Sequence, residues 1–178
     1  MTLGLLLVAA AFLSLERLCY VAIARAPERF RRFCQRPVVA SLGEPVRVVQ
    51  TLFYGFKTIQ GAVFLGWCYV HGQGSLAPTG SGILPLGIGG ALIVAGLMLS
   101  AAVFYRLGAV GVFYGHQLGY DVPWSRAFPF SWFKHPQYIG TVSAIWGFFL
   151  IMRFPHPDWY LLPVLETVYY VVGASFEG

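Results

Sequence analysis

Between Ile83 and Tyr105 the chain reads ILPLGIGGALIVAGLMLSAAVFY, 23 residues without a charged side chain. At about 1.5 Å of rise per residue, a helix of that length crosses the ~30 Å hydrocarbon core of a bilayer with some tilt. The flanking sequence follows the same pattern. Leu3 to Ala24 is an apolar run interrupted only by the adjacent Glu16 and Arg17, and Val48 to Val70 is one whose single charge is Lys57. Two shorter runs, Tyr138 to Met152 and Trp159 to Phe176, are joined by Arg153-Phe-Pro-His-Pro-Asp158. The expected fold class is all-α: a polytopic helical membrane protein with about five hydrophobic helices, the last two forming a C-terminal hairpin. At fifteen residues the first arm of that hairpin reaches only about three quarters of the core thickness. Partial spanning, strong tilt and two full crossings all fit its length. With no internal repeat and no linker, residues 1–178 are read as one domain.

Composition agrees. Only 11% of the 178 residues are charged, against about 25% in soluble domains, while 57% are apolar. The net charge of +5 does not point to nucleic acid, because no nucleic-acid module is present and Arg25, Arg29, Arg31, Arg32 and Arg36 sit directly beside a hydrophobic run. Such clustering marks the cytoplasmic side of a membrane. Segments 25–47 and 106–134 are therefore expected to be cytoplasmic, and the uncharged, Gly- and Ser-rich stretch 72–82 to face away. Cys19, Cys34 and Cys68 are too scattered for a disulfide framework or a zinc site. The N-terminus lacks a basic n-region and a cleavage site, so Thr2 onward is read as the first membrane segment.

The chemistry-bearing residues concentrate between 104 and 140. Gly108, Gly111, Gly115 and Gly119 recur at spacings of three and four. On a helix this gives a strip without Cβ atoms, open to a neighbouring helix or to a flat ligand. His135-Pro136 precedes the fourth long helix, whose exposed first amides can hold an anionic group. Tyr138 in the same turn is either an interfacial aromatic or a hydroxyl directed into a site. His116 is either a hydrogen-bonded structural histidine or a base. Glu177 closes the last apolar helix. Arg106, Arg126 and Lys134 suit a lipid phosphate or simple anchoring at the interface. Charges within apolar runs tend to face a cavity or a partner, which singles out Glu16, Lys57 and Glu166, with Lys57 and Glu166 a possible pair.

The order FY.LG..G.F.G...G from Phe104 to Gly119, then Phe128-Pro129-Phe130, then His135-Pro136-Gln137-Tyr138-Ile139-Gly140, resembles the phospholipid N-methyltransferases that convert phosphatidylethanolamine to phosphatidylcholine. The resemblance implies S-adenosylmethionine as cofactor, a membrane phospholipid as substrate, and an active site toward the cytoplasm, in the endoplasmic reticulum or a bacterial inner membrane. It implies cofactor contacts at Gly96, Gly108, Gly111, Gly115, His135, Pro136, Tyr138, Gly140 and Glu177. The family's Gly-x-Gly aligns with Val94-Ala95-Gly96, with Gly87-Ile88-Gly89 as the alternative, and its paired glutamate aligns with Glu177-Gly178. Methylation of an amine releases a proton, and the candidates to take it are His116 and Glu177, with Tyr138 behind them, although the family carries an acidic residue where His116 stands. On the lipid side the resemblance implies Arg106, Phe113, Arg126, Phe128, Phe130 and Lys134. The HPxYxG element also looks like that of the isoprenylcysteine carboxyl methyltransferases, which leaves a carboxylate or another small lipophilic acceptor as an alternative. A non-catalytic membrane scaffold is the reading from a different class.

Overall fold

The computed structural model describes residues 2–80 and 82–177, Glu177 by its backbone alone. The described residues form seven helices: α1 (Thr2–Arg25), α2 (Pro27–Cys34), α3 (Pro37–Ala40), α4 (Pro45–His71), α5 (Ile83–Val112), α6 (Pro136–Met152) and α7 (Leu161–Glu177). Among the described residues there is no strand. The five long helices are the five apolar runs, so the molecule is a helical membrane protein. By length and composition α1 and α5 are each sufficient to cross a bilayer.

Proline sets the helix starts. Pro27, Pro37, Pro45 and Pro136 open α2, α3, α4 and α6, where a missing N–H costs nothing and the fixed φ is already helical. Pro85 and Pro163 fall in the first turns of α5 and α7, where they are equally tolerated.

The apolar run expected to end at Tyr105 continues as helix to Val112, across a kink at Gly108, whose φ of 63° and ψ of −179° are not helical. Val103 and Leu107 remain buried through that turn, so the bundle supports the helix past Arg106 where the composition had suggested an interface.

Helix α5 packs along α6, while α1 packs on α4 and α7, and α6 on α7. The α5–α6 seam is made by glycines two turns apart on each helix. A Cβ on Gly89 would lie 2.7 Å from the Gly147 carbonyl oxygen, and one on Gly140 would lie 2.7 Å from that of Gly96. No side chain fits there, and the backbones meet directly, as small residues permit between membrane helices. Replacing Gly96 or Gly147 by leucine must push the helices apart. We expect a loss of at least the ~1–3 kcal/mol typical of overpacking, read as a lowered thermal midpoint in detergent. An unchanged midpoint in both variants would contradict the seam.

The other end of the hairpin is tied down by polar contacts. Arg153, 2% exposed, forms a bidentate pair with Asp158 at 2.8 Å through both Nε and Nη2, and its Nη2 also donates to the His71 carbonyl at 3.1 Å. The Trp67 indole donates to Asp158 at 3.1 Å. Thr79 and Gly80 cap the last carbonyls of α6. The α6–α7 link is thus fixed to the end of α4, and each helix, at 17 residues and ~25 Å, traverses most of a bilayer core.

Burial pushes the Asp158 carboxyl up, but the hydrogen bond and charge of Arg153 outweigh it and hold the group below the usual carboxylate range. A depressed folded value adds stability above the unfolded value of ~3.9, and that stability is lost as pH falls through the folded value. Asp158→Asn is expected to cost on the order of 3 kcal/mol at neutral pH by leaving Arg153 buried without its counter-charge. It should also flatten the fall of the thermal midpoint below pH ~4. Parallel wild-type and variant pH curves would refute this role.

Candidate active site

Two apolar clusters stack within the bundle. One, around Leu13, Phe64, Trp67, Phe149 and Leu162, fills the half nearer the 72–82 connection. The other, around Tyr20, Ile23, Val49, Phe113 and Leu118, fills the arginine-rich half. Between them lies a polar layer built by α1, α4 and α7. Lys57 Nζ donates to Glu16 at 3.2 Å, to Gln60 Oε1 at 3.1 Å and to the Tyr170 hydroxyl at 3.2 Å. Gln60 in turn donates to Glu166 at 2.7 Å. The pair expected between Lys57 and Glu166 is therefore bridged: Gln60, one helical turn from Lys57, stands between them, and Lys57 is paired with Glu16 instead. The adjacent Glu16 and Arg17 point into the bundle, with the Arg17 guanidinium 3.7 Å from the centre of the Tyr170 ring.

A cavity of about 350 Å³ rises from this layer. Glu16, Arg17, Tyr20, Phe53, Lys57 and Tyr170 form one wall, and the end of α5, the segment 113–135 and the first turn of α6 form the other. The segment beyond α5 is shaped by tight turns. Gly115 N–H donates to the Val110 carbonyl at 2.9 Å, and a Cβ at Gly115 would run into that carbonyl oxygen. Tyr120 donates to Glu44 at 3.3 Å, which holds the segment against the start of α4. Segments 25–47 and 113–123 thus lie at one end of the bundle.

The kink alters the glycine strip. With Gly108 out of helical geometry, and with Gly115 and Gly119 in turns past the end of α5, the four glycines do not share one helix face. Gly111 alone of the four lines the cavity, where an added Cβ would lie 2.6 Å from that of Leu107 and 3.0 Å from Val122.

Of the residues expected in a site, the cavity brings together Gly111, Phe113, His116, Phe130, Lys134, His135, Pro136 and Tyr138. His135 and Tyr138 stack at 5.9 Å, and Tyr138 meets Tyr170 edge-on at 5.2 Å. His116 lies at the exposed rim, edge-on to Trp124 at 5.6 Å. Gly96 and Gly140 lie in the α5–α6 seam, and Gly108 and Gly115 shape the backbone outside the cavity. Arg106, Arg126 and Phe128 lie on the outer surface: Arg106 Nε donates to the Phe128 carbonyl at 3.1 Å, and the Phe128 ring rests on Trp132. The Glu177 side chain lies outside the described residues. Sequence reasoning left Tyr20, Tyr170 and Trp124 unassigned, and aromatic residues in so aromatic a chain carry no distinguishing signal.

A family model described as phospholipid methyltransferase matches residues 85–178, just over half of the chain. Phosphatidyl-N-methylethanolamine N-methyltransferase of Arabidopsis thaliana is 35% identical over 54 residues, which cover 30% of this chain and 33% of that protein. The chain thus matches about a third of the length of that relative. No solved structure matches.

Proposed function

The chain belongs to the phospholipid methyltransferase family, and we propose that it methylates the amine of phosphatidylethanolamine and its mono- and dimethyl derivatives, toward phosphatidylcholine, with S-adenosylmethionine as donor. The observation that carries this reading is the cavity itself. It joins residues of the family-matched segment, His116 and His135 to Tyr138 among them, to a charged layer within the membrane bundle.

The wall fits such a donor in three respects. The exposed amides after Pro136 suit a carboxylate, Gly111 stands where an added side chain would collide with Leu107 and Val122 at the cavity wall, and the rings of Phe113, Phe130 and Tyr138 line the space a cation would enter. When bound, S-adenosylmethionine supplies a methyl group on a positively charged sulfur. We assign the donor side to Gly111, His135, Pro136 and Tyr138, and carry Glu177 with them on the resemblance. Gly96 and Gly140 serve this side by fixing α6, and so its first turn, against α5. The lipid side falls to Lys134 at the cavity and to Arg106 and Arg126 among exposed aromatic residues at the interface.

The amine must lose a proton to attack. With an unperturbed pKa of ~10.4, it is neutral in roughly one molecule in two to three thousand at pH 7. Desolvation in the cavity raises that fraction, and His116 at the rim is the group we assign to take the proton. Incubating purified protein with radiolabelled donor and separated lipid classes tests the reading. Label in base-stable methylated phosphatidylethanolamine is the expected result; a base-labile methyl ester, or no transfer to any lipid, rejects it.

We further propose that the arginine-rich end faces the cytoplasm. In a cysteine-free background, a cysteine at residue 31 should react with a membrane-impermeant thiol reagent from the cytoplasmic side, and one at residue 76 only from the opposite side. The reverse pattern inverts the topology.

A further inference from the structure

Among the described residues, Arg17 is the one cation of the polar layer whose hydrogen bonding is incomplete. Its side chain is 11% exposed and its guanidinium rests on the Tyr170 ring, and neither Nε nor Nη2 has a hydrogen-bond partner among the described residues. The nearest carboxylate, that of Glu16, is 3.7 Å from Nη2 and already receives Lys57 at 3.1 Å. Glu166, the other buried carboxylate of the layer, is taken by Gln60 at 2.7 Å. Lys57 by contrast directs donors to Glu16, Gln60 and Tyr170, leaving none over. One turn further along α1, the Tyr20 hydroxyl is also buried without a hydrogen-bond partner among the described residues, its ring held by Phe56 and Tyr114. Both residues line the cavity.

Donors buried in the interior of a membrane bundle are costly when unpaired, and a guanidinium there favours an anion strongly. Residues 17 and 20 lie on the same face of a helix, so the two groups converge on one volume. Neighbouring side chains cover both groups, so an oxygen acceptor arriving at the inner end of the cavity completes both once a side-chain rotation uncovers them. We propose that Arg17 and Tyr20 form an oxyanion subsite that holds a charged oxygen group of a reactant. This inference rests on the methyl-transfer reading, which brings two such groups into the cavity: the carboxylate of the donor and the phosphodiester of the lipid. Arginine suits either, since its planar fork matches carboxylate and phosphate alike. The subsite lies about 12 Å inward along α1 from Arg25, at ~1.5 Å per residue, so its ligand is drawn below the level of the surface arginines.

The test uses the full chain in detergent and two measurements: calorimetric binding of S-adenosylhomocysteine, which carries the donor's carboxylate but no transferable methyl group, and the apparent KM for the amine lipid in mixed micelles. Arg17→Gln is expected to weaken one of these constants by roughly 10-fold or more, the scale of a lost charged hydrogen bond. Tyr20→Phe should weaken the same constant by roughly 3- to 10-fold, and Arg17→Lys should recover part of the loss. Weaker S-adenosylhomocysteine binding identifies the carboxylate as the ligand; a raised lipid KM with that binding intact identifies the phosphodiester. Wild-type values for both constants in folded variants overturn the subsite. If Arg17→Gln does not fold, Tyr20→Phe decides, since it removes one oxygen and keeps the ring packing. A wild-type protein that binds neither ligand overturns the methyl-transfer reading and this subsite with it.

Discussion

Gly111→Leu is expected to reduce methyl transfer at least 100-fold and to remove measurable donor binding, while the helical content and the cluster around Trp67 and Phe149 stay intact. The geometry is unforgiving. Even a single Cβ at this position meets Leu107 at 2.6 Å and Val122 at 3.0 Å, so the last turn of α5 must move against the segment that carries His116. The rest of the leucine side chain then enters the cavity. A displacement of about 1 Å at a reacting centre is enough for a ~100-fold loss, and here displacement and filling act together. Gly111→Ala should fall between the two, because it brings the displacement with little of the filling. Circular dichroism and the thermal midpoint establish that each variant is folded, and calorimetry with S-adenosylhomocysteine reads the site. A folded Gly111→Leu protein that binds the donor normally and turns over at the wild-type rate would mean that the donor wall lies elsewhere.

What the sequence conveyed, and what it did not, follows from the range of the interactions involved. The helices were legible because lipid imposes a rule of local composition: Ile83 to Tyr105 carries no charge, and a helix satisfies its backbone within the segment itself. Charges inside apolar runs were informative for the same reason. Glu16 and Lys57 have no place facing hydrocarbon, and both line the cavity. Partners were not legible, since Gln60 links Lys57 on α4 to Glu166 on α7 and no spacing along the chain encodes that contact between helices. The glycines of 104–119 show the limit most clearly. Their spacing describes one face only while the helix is regular, and the positive φ at Gly108 breaks that regularity. The seam glycines 89, 96, 140 and 147 owe their role to antiparallel register, which a single sequence does not state. Arg17 was visible as a charge in a membrane segment, but the fact that its Nε and Nη2 lack hydrogen-bond partners among the described residues is a property of the assembled layer.

His116→Gln should lower the methylation rate by ~100-fold at neutral pH and leave the affinity for S-adenosylhomocysteine unchanged. The scale is that of a lost general base, and the split follows from position: the imidazole stands at the exposed rim against Trp124, away from the His135–Tyr138 stack assigned to the donor. The variant should also recover as pH rises. Below the pKa of the lipid amine, each added pH unit multiplies its neutral fraction by about ten. A protein without its base therefore gains rate in that proportion, whereas the wild type, able to take the proton itself, gains less. Glu177→Gln, examined in parallel, should show the same recovery only if that carboxylate shares the proton, and a loss of donor affinity without recovery would assign it to donor binding alone. Rate profiles from pH 6 to pH 9, with donor affinity measured separately at each pH, distinguish these outcomes. If His116→Gln keeps its rate across the whole range, the proton does not pass through the imidazole, and desolvation within the cavity is what makes the amine a nucleophile.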